Sequence, residues 1–477
     1  MMATITALVY LLAAVLFVVG LKFLSSPRRA RRGNWVASVG MIIAVLWVVV
    51  TIMHHDKPMS AYIPTFTSAG IIICVIGVIL GAVAGAVGAR TVKMTAMPQM
   101  VALFNGVGGG AAALVAITEL LNLTGHPLSF QTSLPSVFAI IIGGISFAGS
   151  VIAFAKLQEL MTGTPVTYPG QQVVNGLLVL AILALAGFLL TATNSSSIIS
   201  TALLVLALIL GAAFVFPIGG ADMPVVISLL NAFTGLAVAA SGFVLQNFAL
   251  IVAGTLVGAA GTLLTKLMSD AMGRSLFNIL FGAFGKIQVS TATSAKGASD
   301  HAVHAGSPDD IGTMLAYSRN VIIIPGYGLA VAQAQHVARE LADTLAERGV
   351  QVQYAIHPVA GRMPGHMNVL LAEANVPYEQ LKDMDEINNE FKQTDVALVV
   401  GANDVVNPAA RNSPDSPIYG MPILNADQAQ HVVFLKRSMR PGFAGIDNPL
   451  LYDSKTIMLF GDAKVSLTKL MAAVKGA

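Results

Sequence analysis

Residues 321–336, Val-Ile-Ile-Ile-Pro-Gly-Tyr-Gly-Leu-Ala-Val-Ala-Gln-Ala-Gln-His, carry the clearest chemical signal in the chain. Val321 to Ile324 is a short apolar, largely β-branched run that reads as a buried parallel strand. Gly326 and Gly328 mark a tight turn after it, and Val331 opens a helical pattern that runs through Arg348. A strand, a Gly-x-Gly-x-x-Val turn and a helix start let backbone N–H groups and a positive helix end meet a pyrophosphate. The motif alone is weak; the strand before it and the helix after it supply its context. A glycine turn in an α/β domain without a ligand is the plainer alternative.

Other candidate groups stand at the ends of later strands. The second strand, 350–357, finishes at His357-Pro358, where an ordinary dinucleotide unit places an acid on the ribose 2′-OH. Without that acid there is room for a 2′-phosphate. A third strand, 395–402, ends in Gly401-Ala402-Asn403-Asp404, and a fourth, 432–435, runs into Lys436-Arg437-Ser438. The last, 456–460, ends in Gly461-Asp462-Ala463-Lys464. Two cations and a hydroxyl donor at one strand end suit a phosphate, although a solvated basic turn has the same composition. The loops 361–368, with Gly361 and Arg362, and 440–449, with Gly442 and Gly445, are long enough to fold over a bound nucleotide.

The elements that must hold these groups divide into two kinds. The chain has 477 residues, 55% hydrophobic and 11% charged, with mean hydropathy +0.75. Soluble domains carry about 25% charged residues, so most of this chain belongs in lipid. Charges are scarce before about residue 265 and ordinary after about 300. The one cysteine, Cys74, lies in an apolar run and excludes an intrachain disulfide. A net charge of +3 gives no footprint for nucleic acid.

Nine spans are expected near 4–24, 35–53, 66–88, 99–121, 135–155, 173–193, 199–217, 224–244 and 247–267. The first is too long for a cleavable signal peptide and its basic cluster follows it. Arg28, Arg29, Arg31, Arg32, Arg90, Lys93 and Lys156 fall in loops after odd-numbered spans, and only Lys57 falls opposite. The positive-inside rule then puts the N-terminus outside and the C-terminal domain in the cytoplasm. Small-residue stretches such as 81–88 and 106–110 suit close helix packing, with an ion filter as the sharper alternative. Asn105, Glu119, Ser150, Asn175, Asp222 and Asn231 are costly in lipid and suggest a hydrated interior suited to a proton or small ion. Residues 1–268 form the expected transmembrane domain, 269–305 a polar small-residue linker, and 306–477 the soluble domain. The fold class is an α-helical polytopic bundle followed by a Rossmann-like, mostly parallel α/β domain.

Longer matches carry a family resemblance. They are Pro325 to Gln335, His357 to Glu373, Met384 to Asn388, Gly401 to Pro408, Lys436 to Ser438 and Leu459 to Lys464, with Phe147 to Val151 and Gly219 to Val226 in the apolar half. Nearly end to end, the chain resembles the β subunits of the bacterial proton-translocating NAD(P) transhydrogenases. The resemblance implies direct, Re/Si-specific hydride transfer between NAD(H) and NADP(H), coupled to proton movement across a bacterial plasma membrane. It implies NADP(H) on this chain, NAD(H) on a separate α subunit, and a dimer of such assemblies, with no metal. Gly326, Tyr327, Gly328, Leu329, Ala330 and Val331 would form the fingerprint turn, and Lys436, Arg437 and Ser438 would hold the 2′-phosphate. His357, Val359, Ala360, Gly361, Arg362, Gly401, Ala402, Asn403, Gly442, Gly445, Gly461, Asp462 and Ala463 would complete the cofactor site. Asp404 would lie near the nicotinamide and couple its protonation to NADP(H) binding. Asn105, Ser150, Asp222 and Asn231 match positions on the proton path. Asn105 stands where some bacterial members have a histidine, and an amide cannot titrate; Glu119, or His54 and His55, are further candidates. The rival reading is an ion transporter or channel gated by a cytoplasmic nucleotide-binding domain.

Overall fold

A computed structural model of the chain describes residues 2–24, 26–53, 68–93, 96–123, 129–158, 160–161, 166–192, 196–219, 222–271, 276, 303–361, 365–413, 416, 418–442 and 446–477. Contacts group residues 1–217 with 226–264, and 218–225 with 265–477. Residues 277–302, which fall in the expected linker, lie outside the described residues, as do His54, His55, Lys57, Gly220, Arg362 and Gly445.

Among the described residues, nine helices are long and apolar enough to cross a bilayer. They are α1 (Met2–Leu24), α2 (Pro27–Met53), α3 (Ser68–Thr91), α4 (Met97–Asn122), α5 (Phe130–Leu157), α6 (Gln171–Thr191), α7 (Ser197–Val215), α8 (Met223–Val244) and α9 (Phe248–Ala271). The second begins earlier than its apolar run, because Pro27 suits a first helical position and the arginines after it are good helix formers.

Glycines set the helix spacing where they meet backbone. A Cβ on Gly143 would stand 2.6 Å from the Gly109 carbonyl oxygen, and one on Gly211 2.5 Å from that of Ile145. The 106–110 stretch is therefore a packing surface. The 81–88 stretch differs: Gly81 and Gly85 meet nothing within 4 Å among the described residues.

The α/β part is built on a six-stranded sheet, β1 (Asn320–Pro325), β2 (Gln351–Ile356), β3 (Leu381–Asp383), β4 (Val396–Val400), β5 (His431–Lys436) and β6 (Thr456–Phe460). All neighbours are parallel, in the order β3-β2-β1-β4-β5-β6. That is the doubly wound order of dinucleotide-binding sheets, whose direction of winding reverses between β1 and β4. Every residue of β4 is buried, as a central strand covered on both faces requires. Phe391, Phe434, Val399, Ile324 and Met458 pack one face with Leu450 and Leu451. Helices α10 (Pro308–Ala316), α12 (Gln335–Glu347) and α14 (Ala463–Gly476) pack together, with Gly312 letting α10 approach Ala473.

The helix expected from Val331 to Arg348 is two helices. A short α11 (Tyr327–Val331) ends at Gln333, whose φ of 50° breaks the helical path before α12 begins. Ala334 N–H to Leu329 O and Gln333 N–H to Ala330 O close that end in the Schellman pattern. The edge strand β3, Leu-Lys-Asp, is too short and polar to show an alternation in sequence.

Candidate functional site

The winding reversal is where the two glycine turns meet. Gly326 N–H donates to Val400 O at 2.9 Å, and Gly328 N–H donates to Gly401 O at 2.9 Å. Both glycine amides hold the turn, so a phosphate arriving here meets a Cβ-free surface rather than those two donors. A Cβ on Gly326 would come 2.4 Å from Gly401 O and 2.5 Å from Ala402 N. Leu329 and Ala330 are buried beneath the turn, Tyr327 is half-buried, and Val331 faces outward. Gly401 sits at φ +71°, in the left-handed region that favours glycine.

Beyond Gly401, Asn403 joins three segments. Its carboxamide donates to Asp404 Oδ1 at 3.0 Å and accepts from Lys436 Nζ at 3.3 Å. Its backbone carbonyl accepts from Asn448 Nδ2 at 3.2 Å. Lys436 Nζ also donates to the Arg440 carbonyl at 3.1 Å, folding the chain after β5 back over the strand end. Gly442 then lies against Asp404 so closely that a Cβ would fall 2.4 Å from Oδ1. Burial holds the Lys436 ammonium below the ordinary lysine range, with Asp404 and Asp447 pulling the other way.

Arg437 and Ser438 are exposed at the same strand end. Arg437 pairs with Asp462 Oδ2 at 2.8 Å, while Asp462 Oδ1 accepts from Lys464 N–H at the start of α14. Desolvation raises the Asp462 carboxyl, but the Arg437 hydrogen bond and the helix N–H groups outweigh it and leave it below the usual range. Gly461 N–H donates to the Lys436 carbonyl and Ala463 is buried behind it, so β5 and β6 end side by side. A guanidinium with donors to spare, an ammonium and a hydroxyl fit a phosphate, and no carboxylate ends β2 to repel one.

His357 holds the end of β2. The whole residue is 1% exposed. Nδ1 accepts from Val359 N–H at 3.2 Å, so the proton sits on Nε2 and is donated to Pro422 O at 2.8 Å. A residue so buried supports the turn; Ala360, whose N–H bonds the His357 carbonyl, and Gly361 at φ +105° continue it. Burial pushes the imidazole pKa down from 6.5 to about 4, against the Pro422 bond that raises it. The unfolded chain therefore takes up a proton before the folded one does. The expected stability of the α/β part is full above pH 6.5 and falls by an amount on the order of 3 kcal/mol as pH drops toward 4. Urea titrations from pH 7.5 to 4 check this; an unchanged slope in His357→Gln would remove His357 as the cause.

Three bracing residues escaped the sequence reading. Asn407 Nδ2 donates to Asp447 O at 3.1 Å, and Asn448 Nδ2 reaches Asn403 O. Each precedes a proline, and each side-chain oxygen caps the next turn through Ala409 N–H or Leu450 N–H. The Asn-Pro pairs were the available signal. Asp447, the third, faces Lys436 from the same loop.

In the helical part, α4, α5 and α8 share a polar cluster. Asn105 Nδ2 donates to Ser150 Oγ at 2.9 Å and Ser146 Oγ at 3.3 Å. Ser146 Oγ lies 2.6 Å from Thr234 Oγ1 and donates to Leu230 O. The structure brings Asn105 and Ser150 together, and Ser146 and Thr234 join them. Asn231 is half-buried on α8 and Asp222 is buried just before that helix. Among the described residues no group of three or more His, Cys, Asp or Glu could hold a metal ion.

The family model of the NAD(P) transhydrogenase beta subunit matches residues 6–473. The chain belongs to this family. Two curated proteins of Rhodospirillum rubrum, both called NAD(P) transhydrogenase subunit beta, are 46% identical to it over 477 residues, 99% of this chain and 99% of theirs. Membership in the transhydrogenase family accords with both parts of the chain, the doubly wound sheet and, among the described residues, nine membrane-length helices.

Proposed function

We propose that this chain binds NADP(H) at the carboxyl edge of its sheet and works with an α subunit that brings NAD(H). Together they transfer hydride directly, with Re/Si specificity, and couple it to proton translocation. Residues 1–268 carry the proton path, 269–305 connect, and 306–477 hold the nucleotide. The assembly is a dimer of such pairs in a bacterial plasma membrane, with the N-terminus outside and the nucleotide domain cytoplasmic. One observation carries the NADP(H) assignment: Asn403 links Lys436, at the phosphate-suited strand end, to Asp404 and the glycine turns.

The nicotinamides supply hydride donor and acceptor; the protein supplies position and excludes water. Gly326, Gly328 and Gly401 open the floor for the dinucleotide, Lys436, Arg437 and Ser438 take the 2′-phosphate, and Asp404 lies under Gly442. A proton reaching Asp404 would weaken its bond from Asn403, and through it the grip of Lys436 on the Arg440 turn. That is a route by which protonation biases two nucleotide-binding states.

The test is reconstitution of both subunits in sealed vesicles with NADPH and a spectrally shifted NAD analogue. Hydride transfer accompanied by a pH change of fixed stoichiometry is expected, abolished by a protonophore in the pH record but not in the redox record. Ion flux that responds to NADPH without any redox exchange would establish the gated-transporter reading instead.

A further inference from the structure

The polar interior of the helical bundle extends past the Asn105 cluster. Gln99 is another buried residue of α4, about 1.7 turns toward its start. Gln99 Nε2 donates to the Leu157 carbonyl at 3.0 Å, at the end of α5. Next to Leu157, Lys156 Nζ donates to Phe216 O at 2.5 Å, past the last turn of α7. Ala213 O in that turn accepts from Gln171 Nε2, at the start of α6, at 3.5 Å. The starts of α4 and α6 and the ends of α5 and α7 therefore gather three polar side chains at one end of the bundle. The arginine and lysine pattern assigns this end to the cytoplasmic side.

These side chains are deeply placed: Gln99 is 7%, Lys156 3% and Gln171 4% exposed. Yet Gln99 Oε1, Gln171 Oε1 and Asn105 Oδ1 have no hydrogen-bond partner among the described residues. Each buried amide oxygen left unmade costs about 1–3 kcal/mol, and an apolar side chain of similar size would avoid that cost. Water satisfies such groups where they have other polar neighbours. Lys156 and Gln171 hold the carbonyl end of α7, where a cation is favoured, and so fix one wall of the site. Along α4, Gln99 and Asn105 are about 9 Å apart, a gap that a short water chain crosses.

We infer that Gln99, Lys156 and Gln171 frame a water-binding antechamber at this end of the bundle, from which protons reach the Asn105–Ser150 cluster. The second half rests on the proton-translocating function proposed above; the first does not.

Cys74 is the chain's only cysteine, which makes a direct test simple. In a Cys74→Ser background, Gln99→Cys, Gln171→Cys and Ala116→Cys are each made in the full chain with its partner subunit in membranes. Ala116 is buried in a wholly apolar cluster and serves as the dry control. The thiolate is the reactive form, so a small cationic methanethiosulfonate should modify the two former glutamine positions about tenfold or more faster than the Ala116 position. Rates at both positions no higher than the control would overturn the antechamber. Gln99→Leu supplies the functional arm: proton movement per hydride should fall several-fold while NADPH binding holds. Fast labelling with unchanged proton movement would leave a hydrated site and overturn its place on the path. If the unaltered enzyme moves no protons, the proposed function fails while labelling still decides the water site.

Discussion

Gly401→Ala is expected to destabilise the α/β domain by about 3 kcal/mol and to reduce NADPH affinity severely. Two costs combine at this residue. Its φ of +71° is left-handed, worth about 1–2 kcal/mol for a side chain, and overpacking adds about 1–3 kcal/mol. The added Cβ would stand 2.4 Å from Gly328 Cα and from Leu329 N, both backbone atoms that no rotamer change can move. Two further variants separate the costs. Gly349 has φ +85° with nothing within 4 Å, so Gly349→Ala carries strain alone and should leave NADPH binding intact. Gly326→Ala has ordinary extended backbone at φ −140° but the same interlock, its Cβ 2.4 Å from Gly401 O. Urea titration and NADPH titration of residues 290–477 should rank Gly401→Ala as most damaging, with Gly326→Ala losing affinity and Gly349→Ala only stability. Equal behaviour of Gly401→Ala and Gly349→Ala would show that the two turns do not lock together.

That interlock explains what the sequence could and could not reveal. The run at Val321–Ile324 and the glycines after it were legible because apolar burial and turn chemistry are local properties. The meeting of Gly328 with Gly401 was not, since it depends on β1 and β4 being neighbours, a pairing of strands far apart in sequence. The break at Gln333 was hidden for a similar reason. The residues from Val331 to Arg348 suit a helix throughout, and only the anchoring of α11 on the turn makes a new helix start necessary.

The site shows the same division. Lys436, Arg437 and Ser438 were readable as a phosphate-suited group from composition and position alone. Their different commitments were not: Lys436 is drawn inward to Asn403 and the Arg440 carbonyl, whereas Arg437 stays exposed against Asp462. His357 stands in sequence where an ordinary dinucleotide unit has an acid, but only the structure shows its ring bracing Pro422. In the helical half, single polar residues in apolar runs announced themselves by their cost. Ser146 and Thr234 did not, because hydroxyls bond to their own helix easily and so carry little signal in lipid. Only the crossing of α4, α5 and α8 turns them into partners of Asn105.

Removing both cations, Lys436→Ala with Arg437→Ala, should abolish the preference for NADPH over NADH in residues 290–477. The unequal surroundings predict how the single variants divide that effect. Arg437 is 62% exposed in its side chain and touches Asp462, so its loss removes a phosphate donor and little of the fold. A hydrogen bond to a charged group is worth about 1.5–3 kcal/mol, which is about 10- to 100-fold in NADPH affinity, with NADH hardly changed. Lys436 also ties Asn403 to the turn at Arg440. Lys436→Ala should therefore weaken both nucleotides, NADPH more, and make the segment 438–442 more accessible to proteolysis. Asp462→Asn is the informative companion: it frees Arg437 from its carboxylate while keeping an oxygen to cap α14. If the guanidinium is shared between Asp462 and a 2′-phosphate, that variant should bind NADPH as tightly as the parent or more tightly. Calorimetric titration with NADPH, NADH and 2′-phospho-ADP-ribose reads all three. Equal affinity for NADPH and NADH in the parent, indifferent to the double substitution, would remove this strand end as the phosphate site.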